Sequence, residues 1–159
     1  MRQRFEQQHT IGITPISDIE FPLRSRDELP PVLKALQHIF ITPDLNKQVF
    51  DLLEKKICGG KKQTGRQGMD LWHILVLAVV RHTLGTNWDR LEHVANYDRL
   101  VRQLLGVYVE KFGVEETDFA HQTIIDNVSL IDEDMLQELN LIVVAHGHKL
   151  LKKKAKKYS

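Results

Sequence analysis

The stretch Asp70–Leu84, DLWHILVLAVVRHTL, decides the fold of this chain. Its run from Ile74 to Val80 contains no polar residue, and apolar side chains cover nearly every side of the helical wheel. A helix that is apolar on all sides is buried by its neighbours. Asp70 can cap the first turn, and Gly85 can end the helix in a left-handed conformation. We therefore predict a buried core helix.

A membrane span is the alternative explanation for such an apolar run. Spanning takes about twenty consecutive apolar residues, and His73, Arg81 and His82 interrupt this stretch too soon. The N-terminus does not contain the apolar run that a secretory signal needs. Cys58 is the only cysteine, which excludes an internal disulfide and a CxxC zinc site. We expect a cytoplasmic protein that has no membrane partner.

Helical spacing of apolar residues extends on both sides of the core helix. Residues 1–26 are predicted to form an extended arm that lies against the helices, because apolar and polar residues alternate over 19–24 and prolines argue against a central strand. A helical domain is predicted over 27–148 and an exposed basic stub over 149–159, with a break near Gly147. The fold class is all-α, and the expected helices around the core helix are about 30–41, 43–59, 88–96, 98–105, 121–130 and 132–148.

Three of these helices, the core helix and those over 88–96 and 98–105, are joined by very short turns. This is the arrangement of helix-turn-helix modules, in which one helix enters the DNA major groove. Periodicity places Arg90, Arg99 and Arg102 on the outer faces. Simple helix packing explains the same pattern, and Asp89 and Glu92 on the second helix would repel phosphates. Pattern alone leaves both interpretations open.

Charge is sorted along the chain although the formal net charge is only +1. A basic stretch over 55–66 and the lysines after residue 148 flank the segment 109–138, which contains nine acidic residues and one basic residue. Such sorting suits a protein with one surface that faces a polyanion. Three solvated surface patches are the simpler alternative.

No active site is visible in the sequence. The histidines lack the i, i+4 spacing with an acidic neighbour that a helical zinc site needs. Asp132, Glu133 and Asp134 are explained as charges at a helix start, and Cys58 has no partner base in the sequence. We predict no catalytic residue, no metal site, no cofactor and no small-molecule substrate.

The segment Gly65–Gly106, GRQGMDLWHILVLAVVRHTLGTNWDRLEHVANYDRLVRQLLG, resembles the N-terminal helical region of bacterial insertion-sequence transposases of the DDE superfamily. A Gly-Arg-x-Gly turn, an apolar helix and a D-x-L-x-x-x-A-N segment carry the resemblance. The flanks over 25–57 and 122–154 resemble the ISNCY group of this family. Gln67 stands where the family commonly has proline, which loosens the turn after Arg66.

The resemblance implies that this chain is the N-terminal part of such a transposase, either truncated by a stop or frameshift or delimited as a domain. The catalytic RNase H-like domain of such transposases begins beyond the position matching Lys157, and its three carboxylates hold two divalent metals, Mg²⁺ or Mn²⁺. Those metals are expected only for that missing domain. The chain itself is expected to be bacterial and nucleoid-associated, and not an enzyme on its own.

The implied function is recognition of terminal inverted repeats in double-stranded DNA for transposition. The alternative is an oligomerisation or inhibitory module that forms homo-oligomers, or mixed oligomers with full-length transposase. For DNA binding, the resemblance and the charge pattern select Lys61, Lys62, Arg66, Arg90, Arg99, Arg102, Lys152, Lys153 and Lys154.

Overall fold

The computed structural model describes residues 4–5, 13–24, 26–59, 68–109 and 119–158, with side chains as far as Ala145. All regular structure within these ranges is helical, as predicted. The helices are α1 (Leu29–Ile41), α2 (Pro43–Leu53), α3 (Leu71–Leu84), α4 (Trp88–Tyr97), α5 (Arg99–Leu105), α6 (His121–Val128) and α7 (Glu133–Tyr158).

Helix α3 is the centre of the molecule, as its apolar sequence predicts. It packs against α1, α4, α5 and α6. Trp72 is fully buried, and its indole Nε1–H donates a hydrogen bond of 2.8 Å to the Leu104 carbonyl at the end of α5. The apolar surface of α3 is therefore covered from several directions, which is the condition under which such a helix is stable.

Gly85 ends α3 in the left-handed conformation that the sequence predicts, with φ +56°. The Gly85 N–H donates to the His82 carbonyl, and the Thr86 N–H donates to the Arg81 carbonyl at 3.3 Å. These two bonds form a Schellman motif, which satisfies carbonyls that the last turn would leave unpaired. Gly106, with φ +73°, ends α5 in the same way. Both helices therefore stop sharply, and the chain can reverse within a few residues.

The described part of the N-terminal arm lies against α1. Ile16 and Ile19 are buried in the common core, and the Gln37 amide donates to both of their carbonyls, at 2.8 and 3.0 Å. The predicted extended segment is interrupted by a 3₁₀ turn over Ile16–Asp18. The contact with the helices is thus as predicted, although the local conformation is tighter.

The ends of two helices differ from the sequence expectations. Helix α2 does not continue as an α-helix to Gly59, because a π-helical turn over Glu54–Cys58 follows Leu53. Helix α7 runs without a break through Gly147 to Tyr158. The predicted break near Gly147 is therefore wrong, and the helical backbone continues through most of the predicted basic stub. One glycine costs a helix only about 1 kcal/mol, which the other residues of a long helix can offset.

Candidate nucleic-acid interface

The connection from α3 to α4 is short enough for a helix-turn-helix. Only Gly85, Thr86 and Asn87 separate the two helices. The Asn87 side chain accepts a hydrogen bond of 2.9 Å from the Arg90 backbone N–H, which caps α4. Leu91, Val94 and Ala95 are buried against the core. The opposite side of α4 is left to solvent, held in place by α3.

The outer surface of α4 contains a stripe formed by Arg90, His93 and Tyr97, which we call the α4 stripe. These residues recur at i, i+3 and i+7, so they follow one another along the helix. All three are exposed, Tyr97 by 66%. The rings of His93 and Tyr97 lie with their centroids 5.0 Å apart. The stripe thus offers a cation, two hydrogen-bonding groups and a planar aromatic surface, all side-chain types that read base edges or stack on nucleotides.

The acidic residues of α4 lie beside α6. The Glu92 carboxylate is 3.0 Å from Nδ1 of His121, and the Asp89 carboxylate is 3.6 Å from the same nitrogen. Both carboxylates thus lie next to the first residue of α6. The contact was not predicted, because His121 lies 29 residues from Glu92 along the chain.

These same three side chains could in principle hold a cation. Asp89, Glu92 and His121 each offer one ligand atom, and the three atoms lie within 4.8 Å of one another. The approach of His121 to both carboxylates accounts for that proximity. The arrangement therefore supports a link between α4 and α6, and we assign no metal to it.

Asn96, the last residue of the D-x-L-x-x-x-A-N segment, is buried and holds Phe119 against α4. Its amide donates to the Phe119 carbonyl at 2.8 Å, and its Oδ1 accepts from the Phe119 N–H at 3.2 Å. The amide also donates to the Glu92 carbonyl within the helix. The amide therefore uses both its donor and its acceptor within the protein, so Asn96 joins two segments and does not face a ligand.

The prediction that Arg102 lies on the outer face of α5 is wrong. The exposed fraction of Arg102 is 0%. Its Nε donates to the Tyr108 carbonyl at 2.7 Å, and Nη1 donates to the Ala95 carbonyl at 3.1 Å. The prediction failed because α5 is covered by α1, α3 and α4, and because Arg102 shares a helical face with the buried Leu105. A phosphate cannot reach this guanidinium in the folded chain.

The other predicted DNA-binding residues lie in different parts of the chain. Arg99 is exposed at the start of α5, as predicted. Lys61, Lys62 and Arg66 lie outside the described residues. Lys152, Lys153 and Lys154 belong to the last turns of α7, where only the backbone is described. Arg90 and Arg99 are therefore the two predicted contacts whose exposure is established.

Arg81 is a further cation near α4 that the sequence analysis did not select. Its guanidinium carbon lies 4.0 Å from the centre of the Trp88 ring, a cation–π contact between the end of α3 and the start of α4. Its buried Nε has no hydrogen-bond partner among the described residues. The contact fixes the direction in which α4 leaves the turn. Sequence spacing could not reveal it, since it depends on how the Gly85 turn reverses the chain.

A partly buried ion-pair cluster ties the arm to α2 and to the π-helical turn that follows it. The Arg4 guanidinium contacts Glu54 at 2.6 Å and Asp51 at 2.7 Å. Hydrogen bonds from Arg4 lower the pKa of both carboxyl groups, and those carboxylates in turn raise the pKa of Arg4. Because these carboxylates compensate Arg4, the cluster is structural and offers phosphates no free charge.

Comparison of this chain with protein-family models, with curated proteins and with solved structures finds no match. Among the described residues, no helix combines the length and the apolar character needed to cross a bilayer.

Proposed function

We propose that this chain is the DNA-binding N-terminal part of a DDE insertion-sequence transposase and that it recognises terminal inverted repeats. The observation that carries the proposal is the exposed α4 stripe directly after the three-residue turn from α3. The transposase resemblance of Gly65–Gly106, which includes α3, α4 and α5, supports it independently. In this proposal α4 is the recognition helix, and the chain acts in the bacterial nucleoid.

The α4 stripe is assigned to base recognition. Arg90 lies in the first turn of α4, the part of a recognition helix that reaches furthest into the major groove. Arginine binds guanine through two hydrogen bonds, to O6 and N7, and one such pair contributes about 1–3 kcal/mol of discrimination. His93 follows one turn later and Tyr97 one turn after that. The stripe therefore spans several successive base pairs.

Arg99 and the lysines outside the described side chains are assigned to phosphate contacts. Such contacts release counterions from DNA and add affinity without sequence preference. The chain supplies no strand-transfer chemistry in this proposal, since the carboxylates that would hold Mg²⁺ or Mn²⁺ belong to the domain that would follow. Purified chain incubated with either metal is expected to leave duplex DNA uncut, and metal-dependent cleavage would overturn this assignment.

A binding titration at several salt concentrations tests the two roles. The duplexes are the inverted-repeat ends that flank the coding sequence and a scrambled duplex of equal length. Arg90→Gln should lower affinity for the ends by about 1–3 kcal/mol and reduce the preference over scrambled DNA. Arg99→Gln should weaken binding to both duplexes equally, and it should reduce the slope of affinity against salt concentration by about one.

Lys34→Gln is the matched control, because Lys34 is an exposed cation on α1. It should leave affinity, preference and salt slope unchanged. Equal binding of both duplexes by the unmodified chain, or a preference that survives Arg90→Gln, would contradict base recognition by α4.

A further inference from the structure

Two clefts adjoin each other where the end of α3 meets the start of α7. The smaller cleft has a volume of about 420 Å³ and the larger one a volume of about 570 Å³. His82, Glu133 and Leu136 line both clefts, so the two share a wall. Each volume lies within the range of about 300–1,000 Å³ that is typical of small-molecule sites. The two clefts together are therefore a candidate ligand site.

The smaller cleft contains the cation of Arg81, which lies over the Trp88 ring. Its Nε is buried, and the guanidinium makes no hydrogen bond or ion pair with the described side chains or backbone. Because Nε is shielded, a ligand reaches this guanidinium through Nη1 and Nη2. Two neighbouring N–H donors of this kind bind a carboxylate through two parallel hydrogen bonds.

Two carboxylates from another element line the same cleft. Asp132 and Glu133 stand at the start of α7 and are exposed. One oxygen of Asp132 accepts the Met135 N–H at 2.9 Å, and Glu133 forms no ion pair within the described part of the chain. These carboxylates repel a simple anion such as phosphate, and Arg81 repels a simple cation. A ligand that carries one charge of each sign is attracted by both.

The larger cleft places apolar surface beside this charged region. Its floor includes the buried side chains of Leu36, Val49 and Leu75, from α1, α2 and α3. Val79 and Leu136, both half-buried, also line it. An apolar group that enters this cleft leaves water, which favours binding. The ligand that fits both clefts therefore combines two opposite charges with an apolar body.

We propose that the two clefts bind a free α-amino acid with a large apolar side chain. The carboxylate of the ligand pairs with the Arg81 guanidinium, and its ammonium group faces Asp132 and Glu133. Its side chain extends past Leu136 into the larger cleft. The inference goes beyond the proposed function and does not depend on it.

A titration of the isotope-labelled chain, followed by NMR, tests the ligand class. L-phenylalanine should bind saturably. Three related compounds each lack one recognised group, since 3-phenylpropionate has no ammonium group, 2-phenylethylamine has no carboxylate and glycine has no apolar side chain. Each should bind at least about tenfold more weakly than L-phenylalanine, because each loses a charge-assisted contact or the apolar burial.

The same titration can overturn the proposal. If L-phenylalanine, L-leucine and L-tryptophan all fail to bind saturably up to about 10 mM, the clefts are not an amino-acid site. If 3-phenylpropionate or 2-phenylethylamine binds as tightly as L-phenylalanine, recognition of both charges is refuted.

The amide resonances locate the ligand. Those of Ala78, Ser129 and Leu136 should shift during the titration, because these residues line the smaller cleft. Shifts confined to helices that line neither cleft, such as α5, would refute the location.

Two substitutions test the charged contacts. Glu133→Gln and Arg81→Met should each weaken binding of L-phenylalanine at least about tenfold. The matched controls are Glu20→Gln and Arg24→Met, which change exposed residues of the same types outside both clefts. Both controls should bind like the unmodified chain, and circular dichroism should show that all four variants are folded.

Arg81→Met also alters the contact with Trp88. Glu133→Gln changes an exposed side chain and decides the test by itself if Arg81→Met does not fold. Binding that is unchanged in Glu133→Gln would contradict the placement of the ammonium group and overturn the proposal.

Discussion

One residue, Arg102, joins three backbone segments through its guanidinium. It extends from α5 to the Ala95 carbonyl in α4 and to the Tyr108 carbonyl in the turn after α5. The carbonyls near the end of α4 carry the negative end of its helix dipole, which a buried cation stabilises. Arg102 therefore acts as an internal cap for α4 and fixes the path of the chain toward 109.

Arg102→Met should destabilise the fold strongly. The substitution keeps the side chain's length approximately but leaves buried carbonyls without donors, and breaking such a charged network costs about 2–4 kcal/mol. Urea denaturation measures the free energy of unfolding. Arg99→Met, which changes an exposed arginine of the same helix, should stay within about 0.5 kcal/mol of the unmodified chain. Equal effects of the two substitutions would contradict the structural role of Arg102.

His73 makes stability depend on pH. Burial lowers the pKa of His73 below its usual 6.5, although its hydrogen bond of 2.7 Å to the Leu105 carbonyl acts in the opposite direction. The unfolded chain therefore takes up a proton at higher pH than the folded chain does. This contribution to stability is complete above about pH 6.5 and is lost progressively as the pH falls below it.

The free energy of unfolding is measured in urea at about pH 7.5 and at about pH 5.5. For the unmodified chain it should be smaller at about pH 5.5. His73→Gln keeps an amide donor for the Leu105 carbonyl and removes the titration, so its decrease should be smaller. His93→Gln alters an exposed histidine and should keep the original decrease. A His73→Gln chain with unchanged pH dependence would show that other groups cause it.

At the scale of elements, the helix starts differ in what their capping residues contribute. Asn87 and Asp98 both accept a backbone hydrogen bond through their side chains, at 2.9 and 3.0 Å. Asp70 occupies the cap position of α3 as predicted, but its side chain makes no capping bond. The position of a cap can thus be predicted from residue type, whereas the hydrogen bond depends on the side-chain rotamer.

Asn87→Ala should lower the free energy of unfolding by about 1 kcal/mol, because the Arg90 N–H loses its partner. Asp70→Ala is the control and should cost clearly less. Thermal unfolding followed by circular dichroism compares the two variants. Equal losses would mean that the Asn87 side chain does not cap α4 in solution.

The sequence predicted the helices well and the site only in part. Apolar periodicity located the seven α-helices of the described residues, because each buries a continuous face in one core. It placed Arg90 and Arg99 correctly on the outer surfaces of α4 and α5. It missed the contact of Arg81 with Trp88 and that of His121 with Glu92, which arise from turns and from packing between distant segments. Arg102 was misplaced because a helical repeat does not indicate how many neighbours cover a short helix.

At the scale of the whole molecule, the buried residues form one connected core from Ile16 to Leu139. Helix α3 contacts elements that precede it and elements that follow it. Loss of any one contact therefore exposes apolar surface of the central helix. Such a core is expected to unfold in a single cooperative transition.

Tryptophan fluorescence tests this cooperativity. Trp88→Phe leaves Trp72 at the centre of the core as the only indole, and Trp72 is fully buried. Its fluorescence and the helical circular dichroism should give the same midpoint in urea. Trp88→Phe also weakens the contact with Arg81, so the comparison is made between two signals of one variant. Two separate midpoints would show that α3 and the outer helices unfold independently.

The all-round burial of α3 also has a consequence for biosynthesis. A ribosome releases α1 and α2 before α3, but α4, α5 and α6 emerge only afterwards. Until about residue 128 has left the exit tunnel, the central helix of the nascent chain lacks part of its cover. Chains that stall or are cleaved before that point would expose it to other nascent chains, and aggregation is their expected fate. The minimal unit that can be produced in folded form therefore extends at least through α6.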